Sequence, residues 1–459
     1  MPPAFAPADS PSRPLYVVSQ EGLADWLDRQ PETTRSWLSA TGFTGALGEV
    51  QLLPGAEGLV GAVVGYGTAK SRARGRFPIA RAAGALPAGA WHLVADLAPD
   101  DRDEAALGWL FGQYRFDRYR PGKPVEARLK APEGCDAARL ATIAEGEFLT
   151  RDLVNTPASD LGPSELEDAL VALAARHGAE VSAIRGDALL AQNFPMIHAV
   201  GRASERAPRL LDLRWGDVGP KLTLVGKGVC FDTGGLNLKP TAGMHLMKKD
   251  MGGAATAMGL AQMIMALGVP VRLRVLIPAV ENAVSGRALR PRDILTSRKG
   301  LTVEVNDTDA EGRLILGDAL AFAQEENPDL LISMATLTGS ARVALGPDLA
   351  PFYTDDDTIA EALQAAGARV RDPVWRLPFW TPYDPLIEPG IADLDNAPPG
   401  SMAGSITAAL FLRRFVETER YLHFDLYAHT PTEAPGRPKG GVGQGARAVL
   451  EALPKVLSL

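Results

Sequence analysis

The stretch LTVEVNDTDAEGRLILGDALAFAQ, residues 301–324, carries the main clue to both the fold and the chemistry. LTVEV is typical of a buried strand, and LILGDALAFAQ has the apolar spacing of a helix that packs by one face. Between them stand Asp307, Asp309, Glu311 and Arg313. Charged side chains at the junction of two buried elements cost free energy unless something neutralises them. The stretch therefore predicts a strand–helix unit that holds a charged site.

The same alternation of strands and helices extends along most of the chain. Buried strands are predicted at 221–231, 271–280, 301–305, 329–337 and 420–428. Helices are predicted between them at 254–267, 314–326 and 404–418. Shorter runs near the start favour strands at 15–19, 58–67 and 90–97 and helices at 21–29 and 103–114. The fold class is therefore α/β, with a central, mostly buried sheet covered by helices on both faces.

A chain of 459 residues is too long for one compact core, so we expect two domains. Prolines and charges replace the apolar pattern near 120–135, which is typical of a linker. We predict a smaller N-terminal α/β domain at 1–135, without a catalytic role. A larger catalytic domain would occupy 136–459, beginning with a helix near 136–154.

Composition excludes several classes of protein. The hydrophobic content of 46% suits a globular chain, and a net charge of −8 argues against nucleic acid or an anionic membrane as a partner. Cys135 and Cys230 are too few for a disulfide framework, and no signal peptide is apparent, so we expect a cytoplasmic location. The uncharged run 251–271 is interrupted by glycines and Pro270, which predicts a buried helix rather than a membrane span.

Three further stretches bring charge close to buried elements. LVGKGVCFDTGGLNLKP at 224–240 contains Lys227, Asp232 and Lys239, and MHLMKKDMGGAA at 244–255 contains Asp250. Lys227 and Asp232 would lie on opposite faces of a regular strand, so we expect the strand to end before Asp232. The third stretch, LISMATLTG at 331–339, runs from a buried strand into a Thr/Gly turn. In open α/β sheets, such loops at the carboxyl ends of strands build the site.

Convergence of these loops would bring four carboxylates together, from Asp232, Asp250, Asp309 and Glu311. Carboxylates this close together repel one another strongly, and bound divalent cations would neutralise their charge. Four acids can hold two ions if some of them bridge, and the pair would activate water for hydrolysis. Because the ligands are almost all oxygen, Mn²⁺, Mg²⁺ and Zn²⁺ remain possible.

Other interpretations compete with this one. Any single stretch could contain only capping residues or surface ion pairs. The C-terminal GGVGQG resembles a dinucleotide fingerprint but lies too near the end of the sequence, and no GxSxG elbow is present. Two functional alternatives stay open on residues alone. One is a different dimetal hydrolase such as a phosphoesterase, and the other is a regulatory or nucleic-acid-binding protein that keeps the fold.

Four motifs together resemble the leucine aminopeptidase family of dimetal exopeptidases, also called cytosol aminopeptidases. They are VGKGVCFDTGGLNLKP, GMHLMKKDMGGAA, DTDAEGRLILGDAL and MATLTGSARVALG, and the likeness begins near RDLVNTPASDLGPSEL at residue 151. The resemblance implies a metal-dependent aminopeptidase that releases N-terminal, preferably leucine-like residues from peptides. It also implies a homohexamer, with an N-terminal domain that supports assembly.

The resemblance also implies the metal ligands. Asp232 and Glu311 would bridge two divalent ions, Mn²⁺ or Zn²⁺. Asp309 would complete one ion, while Lys227 and Asp250 would complete the other.

Catalytic and substrate-binding roles follow from the same likeness. Lys239 would polarise the scissile carbonyl, and Arg313 would hold a bicarbonate ion that serves as general base. Leu337 and Gly339 would contact the peptide backbone. Met247 and Thr336 would line the pocket for the first side chain. One position departs from the family pattern, because Asp307 stands where the family usually has Asn.

Overall fold

The computed structural model describes residues 2–400 and 402–459, which form two compact units. The first unit contains the chain up to Glu145 together with a short return segment, Thr432–Lys439. The second contains Gly146–Pro431 and Gly440–Leu459. The return segment was not foreseen, because eight residues of loop carry no periodic pattern.

The first unit is a mixed α/β domain built on one sheet. Its strands are β1 Ser12–Ser19, β2 Val50–Gly55, β3 Gly58–Gly67, β4 Gly89–Val94 and β5 Ala127–Leu129. Its helices are α1 Leu23–Asp28, α2 Glu32–Thr41, α3 Ala69–Arg72, α4 Ala80–Ala85 and α5 Pro99–Gly112. The strand order is β2-β3-β1-β4-β5, in which only the β2–β3 pair is antiparallel. Leu15, Trp91 and Trp109 are fully buried in its core.

The second unit contains the remaining elements. Its helices are α6 Ala137–Asn155, which begins before the unit boundary, α7 Pro163–His177, α8 Ala188–Ala191, α9 Pro195–Gly201, α10 Thr241–Met244, α11 Gly252–Ala266, α12 Glu311–Gln324, α13 Gly339–Leu345, α14 Asp357–Arg369, α15 Gly404–Arg413 and α16 Ala446–Leu457. Two 3-10 helices occupy Met247–Met251 and Thr381–Ile387. Its strands are β6 Glu180–Arg185, β7 Arg209–Trp215, β8 Lys221–Gly226, β9 Gly228–Asp232, β10 Arg272–Asn282, β11 Ile294–Thr296, β12 Thr302–Glu304, β13 Leu330–Ala335, β14 Ala350–Tyr353, β15 Val374–Leu377, β16 Leu394–Asp395, β17 Tyr421–Asp425, β18 His429–Thr430 and β19 Gly440–Gly441.

The large sheet of this unit has the order β15-β14-β17-β13-β8-β10-β7-β6, and β9 pairs with the far end of β10. Its centre, β17-β13-β8-β10, is parallel, whereas β14 and β7 run antiparallel to their central neighbours. Parallel strands are buried on both faces, which explains why their sequences are largely apolar. The carboxyl ends of β8 and β13 are adjacent in this order, so the loops that follow them meet.

Helices cover both faces of this sheet. Val225 of β8 and Leu331 of β13 belong to a buried cluster that includes Leu314 of α12. The alternate residues Leu224 and Ile332 are equally buried outside that cluster, on the face against which α11 packs. The predicted two-faced α/β architecture is therefore confirmed.

Helix α11 occupies most of the uncharged run 251–271, which could have been taken for a membrane segment. It has fifteen residues, and all but its last are buried within the unit. Within residues 2–400 and 402–459, no helix has the length and hydrophobicity that crossing a membrane requires.

Two local expectations near the charged stretches were wrong. The first strand does break at Gly226, but a second strand, β9, resumes at Gly228 and includes Asp232 as its last residue. Helix α12 begins at Glu311 rather than at 314, so Glu311 is the first residue of the helix and Asp309 lies in the turn before it. A turn stabilised by side chains, which periodicity does not register, brings the two acids together instead.

Candidate active site

Lys227 lies in the break between β8 and β9, where its backbone contacts the first turn of helix α11. Its backbone N–H donates to the Met334 carbonyl at 2.9 Å, and its carbonyl accepts from the Ala254 N–H at 2.9 Å. The preceding Gly226 permits this close approach, since a Cβ there would lie 2.6 Å from the Ala254 Cα. The lysine side chain is therefore held between the central strands and the helix.

Asp232 ends β9 with its carboxylate fully engaged by neighbours. Its Oδ1 accepts from the Gly234 N–H and from the Asn282 side-chain amide, both at 2.8 Å. Its Oδ2 lies 2.8 Å from the ammonium nitrogen of Lys239, which also pairs with Asp309. Lys239 therefore sits between two of the acids expected to bind metal.

Asp250 reaches the same place from the 3-10 helix that precedes α11. Its Oδ1 accepts from the Thr336 hydroxyl at 2.8 Å, and its Oδ2 lies 2.9 Å from the Lys227 ammonium. The same ammonium lies 3.1 Å from Oε1 of Glu311. Lys227 is thus the shared counter-ion of Asp250 and Glu311.

The turn that carries Asp309 and Glu311 is tied down by its neighbours. The Asp309 N–H donates to Oδ1 of Asp307 at 2.8 Å, so Asp307 caps the turn locally. Asn396, which is fully buried, accepts from the Asp307 N–H at 3.2 Å and donates to the Asp307 carbonyl at 2.6 Å and the Ala310 carbonyl at 3.3 Å. This side chain acts as a clamp that fixes the backbone of the acidic turn.

The arrangement fits divalent metal ions. Ligand oxygens from Asp232, Asp309 and Glu311 all lie within 4.8 Å of one another. Within the described residues, neither carboxylate oxygen of Glu311 accepts a hydrogen bond, although the residue is only 1% exposed. Asp250 Oδ2 and Asp309 Oδ1 are also buried, and each faces a lysine ammonium group. Buried carboxylate oxygens that lie this close together and are balanced only by ammonium groups are suitable ligands for hard cations.

The electrostatics of the group point the same way. Burial, reinforced by repulsion from Asp232, raises the pKa of Glu311 well above its usual value and that of Asp309 to about 6. Burial alone would lower the pKa of Lys227, but Asp250, Glu311 and Asp232 outweigh it and raise that pKa. The acids therefore compete for two ammonium groups, and cations of higher charge would relieve the competition.

These residues open onto one cavity of about 660 Å³. Arg313 on α12 lines it and is 7% exposed, yet its Nε has no hydrogen-bond partner among the residues that the structure describes. Burial lowers the pKa of Arg313 to about 10, a shift that Asp425 and Glu311 only partly offset. A buried guanidinium fork without a fixed partner is suited to a planar anion.

The cavity also includes the expected substrate-binding residues Met247, Thr336, Leu337 and Gly339. Ten of the eleven site residues expected from the sequence therefore line the cavity. The eleventh, Glu311, is adjacent to the lining residue Lys227, whose ammonium lies 3.1 Å from Oε1 of Glu311.

Asp425, at the end of β17, holds the loop that contains Leu337 and Gly339. Its Oδ1 accepts from the N–H groups of Leu337 and Thr338, each at 3.0 Å, and its Oδ2 accepts from the hydroxyls of Thr338 and Ser405.

Sequence reasoning missed the residues that orient this site. Asn282, Asn396 and Asp425 come from three different loops or strand ends, and each holds a chain segment that is remote in sequence. No local spacing identifies such partners. The only available signal was a polar residue at the end of a buried strand, as for Asp425 in HFDLYA.

Comparison with known proteins agrees with this geometry. The model of the cytosol aminopeptidase family catalytic domain matches residues 148–450, and the model of the M17 aminopeptidase N-terminal domain matches residues 13–132. The chain belongs to the cytosol aminopeptidase family. It is therefore a metal-dependent aminopeptidase, a hydrolase that acts on peptide substrates, as the four motifs predicted.

Individual relatives cover nearly the whole chain. A crystal structure of cytosol aminopeptidase from Coxiella burnetii is 44% identical, covers 98% of both chains and has a TM-score of 0.93. The bottromycin maturation enzyme BotP in complex with Mn is 32% identical, with 97% of this chain and 99% of BotP covered and a TM-score of 0.87. A probable cytosol aminopeptidase from Stenotrophomonas maltophilia is 40% identical over 88% of this chain and 87% of its own. None of these relatives favours the phosphoesterase or regulatory alternatives.

Proposed function

We propose that the protein releases apolar, leucine-like first residues from peptides, with two divalent ions per subunit, Mn²⁺ or Zn²⁺, held by Lys227, Asp232, Asp250, Asp309 and Glu311. The carrying observation is the convergence of buried carboxylates, of which Glu311 leaves both oxygens without a hydrogen bond. Such ions polarise a carbonyl and make a hydroxide available near neutral pH.

Lys239 would complete the catalytic group. Its ammonium lies between Asp232 and Asp309, and burial would lower its pKa, but these two acids outweigh burial and raise it. The group therefore stays charged and can donate hydrogen bonds to an oxyanion that develops on the scissile carbonyl. Leu337 and Gly339 would align the peptide backbone.

Met247 and Thr336 would line the pocket for the first side chain. The Thr336 hydroxyl already donates to both the carbonyl and a carboxylate oxygen of Asp250, so it offers no free donor to a substrate side chain. This arrangement supports a preference for leucine-like residues.

Arg313 would hold a bicarbonate ion as the general base, since the nearby acids are engaged as metal ligands or by lysines. A rate that falls when bicarbonate is removed would support this role.

We also propose a cytoplasmic homohexamer, in which the N-terminal domain of residues 1–135 supports assembly of the catalytic domain 136–459. Light scattering on the purified protein measures the mass of the assembly and so tests the hexamer.

The defining experiment strips the purified protein of metal and then supplies Mn²⁺ or Zn²⁺. We expect a chromogenic leucine amide to be cleaved only after metal is restored, because the carboxylates alone provide no Lewis acid. The N-acetylated amide, run alongside, should resist cleavage, since the substrate's free amine is proposed to bind a metal. Equal cleavage of both substrates, or cleavage by the stripped protein, would contradict the proposal.

Asp307 provides a separate test of how the acidic turn is held. Asp307→Asn keeps an oxygen that can accept from the Asp309 N–H, so we expect activity and metal content to persist. Asp307→Ala removes that acceptor and should cost about 10–100-fold in metal affinity, as loss of an outer-shell partner typically does. Metal titration of both variants separates the hydrogen bond from the charge. If Asn were as harmful as Ala, the negative charge itself would be required.

A further inference from the structure

Two cations share one aromatic ring in the wall of the catalytic cavity. The Lys249 ammonium lies 5.2 Å from the centroid of the Tyr427 ring, and the Arg342 guanidinium carbon lies 4.9 Å from it. All three side chains line the cavity, and Lys249 is only 6% exposed. Neither cation was singled out in the sequence, because MHLMKKDMGG and LTGSARVALG drew attention to Asp250 and to the Thr/Gly turn.

Neither cation forms a direct ion pair with the part of the chain that the structure describes. Over residues 2–400 and 402–459, the side chains of Lys249 and Arg342 form no ion pair and no hydrogen bond. Asp250 follows Lys249 in the chain, but its two oxygens are directed to Thr336 and Lys227. Attraction to an aromatic ring is weak compared with a direct ion pair, and the two like charges oppose each other. Lys249 is buried whereas Arg342 is exposed, so it is the Lys249 ammonium that is incomplete without an anion.

The pair lies next to the pocket proposed for the first side chain. Met247 and Lys249 belong to the same short 3-10 helix, and the Thr336 hydroxyl donates to the carbonyl of Asp250, the residue directly after Lys249. Arg342 is on α13, which begins at Gly339. A substrate side chain between Met247 and Thr336 therefore lies in the cavity that both cations line.

We propose that Lys249 and Arg342 bind a carboxylate on the first side chain, so that the enzyme also releases N-terminal glutamate. This inference rests on the proposed function of the same cavity. The ammonium supplies a compact charge, and the guanidinium supplies a fork that can engage both carboxylate oxygens. Leucine-like residues occupy the apolar part of the pocket, whereas glutamate reaches further.

The test compares chromogenic amides of glutamate and glutamine, which differ by a charge at nearly equal size. For the wild-type enzyme we expect kcat/KM to be about tenfold higher for glutamate, the effect of one charge-assisted hydrogen bond. Arg342→Gln and Lys249→Met should each bring the ratio towards one. Because these substrates have no C-terminal carboxylate, the ratio reports on the side chain alone.

The leucine amide is measured in every variant to show that each is a folded, active enzyme. Arg176→Gln, which removes an exposed arginine of α7 outside the cavity, should retain the wild-type ratio. Arg342→Glu should lower the ratio below that of Arg342→Gln. A wild-type ratio of one or less, or a ratio unaffected by both neutral substitutions, would overturn the inference. Failure to cleave even the leucine amide would count against the proposed function instead.

Discussion

Replacing Glu311 by alanine should abolish peptidase activity and release metal. Both oxygens of this carboxylate are buried without a hydrogen bond, and the nearest cation is the Lys227 ammonium at 3.1 Å. If Glu311 bridges the ions as we propose, its loss should reduce metal affinity by more than the 10–100-fold typical of an outer-shell partner. Metal content after dialysis, together with turnover of the leucine amide, provides the measurement.

Stability supplies a second readout for the same variant. The melting temperature of the wild-type protein should rise when Mn²⁺ is added, because a ligand of the native state stabilises it by mass action. Glu311→Ala should lose that rise. The comparison with wild type is repeated without metal, where burial and repulsion from Asp232 raise the pKa of Glu311 and its removal relieves both.

Glu304 provides a matched control. It is also a glutamate with 1% exposure, but it ends β12 and pairs with Arg292 outside the cavity. Glu304→Ala should therefore retain metal and activity even if it lowers the melting temperature. Full activity of Glu311→Ala would exclude a bridging role, and equal metal loss in both variants would indicate general destabilisation.

The parts of this site that could be predicted share a physical basis. Strands β8, β10 and β13 are largely apolar because they are buried on both faces, and that pattern is visible in the sequence. Lys227, Asp232 and Lys239 follow β8 closely in the chain, so their position at the edge of the large sheet could be predicted. Asp309 and Glu311 follow β12 of a separate small sheet, so their arrival at the same place does not follow from the large sheet alone. Their assignment to particular roles came from motif resemblance, not from spacing.

The rest could not be predicted because it depends on partners that are distant in the chain. Asn396 clamps the turn at Asp307 and Ala310 through side-chain bonds, and Asp425 fixes the backbone of Leu337. The start of α12 at Glu311 depends on that clamped turn rather than on an apolar period. Sequence periodicity reports burial, whereas these contacts are polar and specific to one pair of loops.

Replacing Lys239 by alanine should lower turnover by about 10²–10³-fold, the typical cost of losing one oxyanion donor. The loss should appear in kcat, with KM little changed, because the interaction with the developing charge strengthens only in the transition state. Metal content should remain at the wild-type level, since Asp232 and Asp309 gain rather than lose freedom to bind cations when the ammonium is removed.

The geometry also provides the competing explanation for this variant. Lys239 neutralises two acids that lie close together, so its loss could act on the protein rather than on the reaction. The two cases differ in the metal-free state. A structural lysine would lower the melting temperature of the stripped protein and metal content together. A catalytic lysine leaves the metal-loaded protein intact and slow, and Lys299→Ala, at an exposed ion pair with Glu417, should change neither quantity.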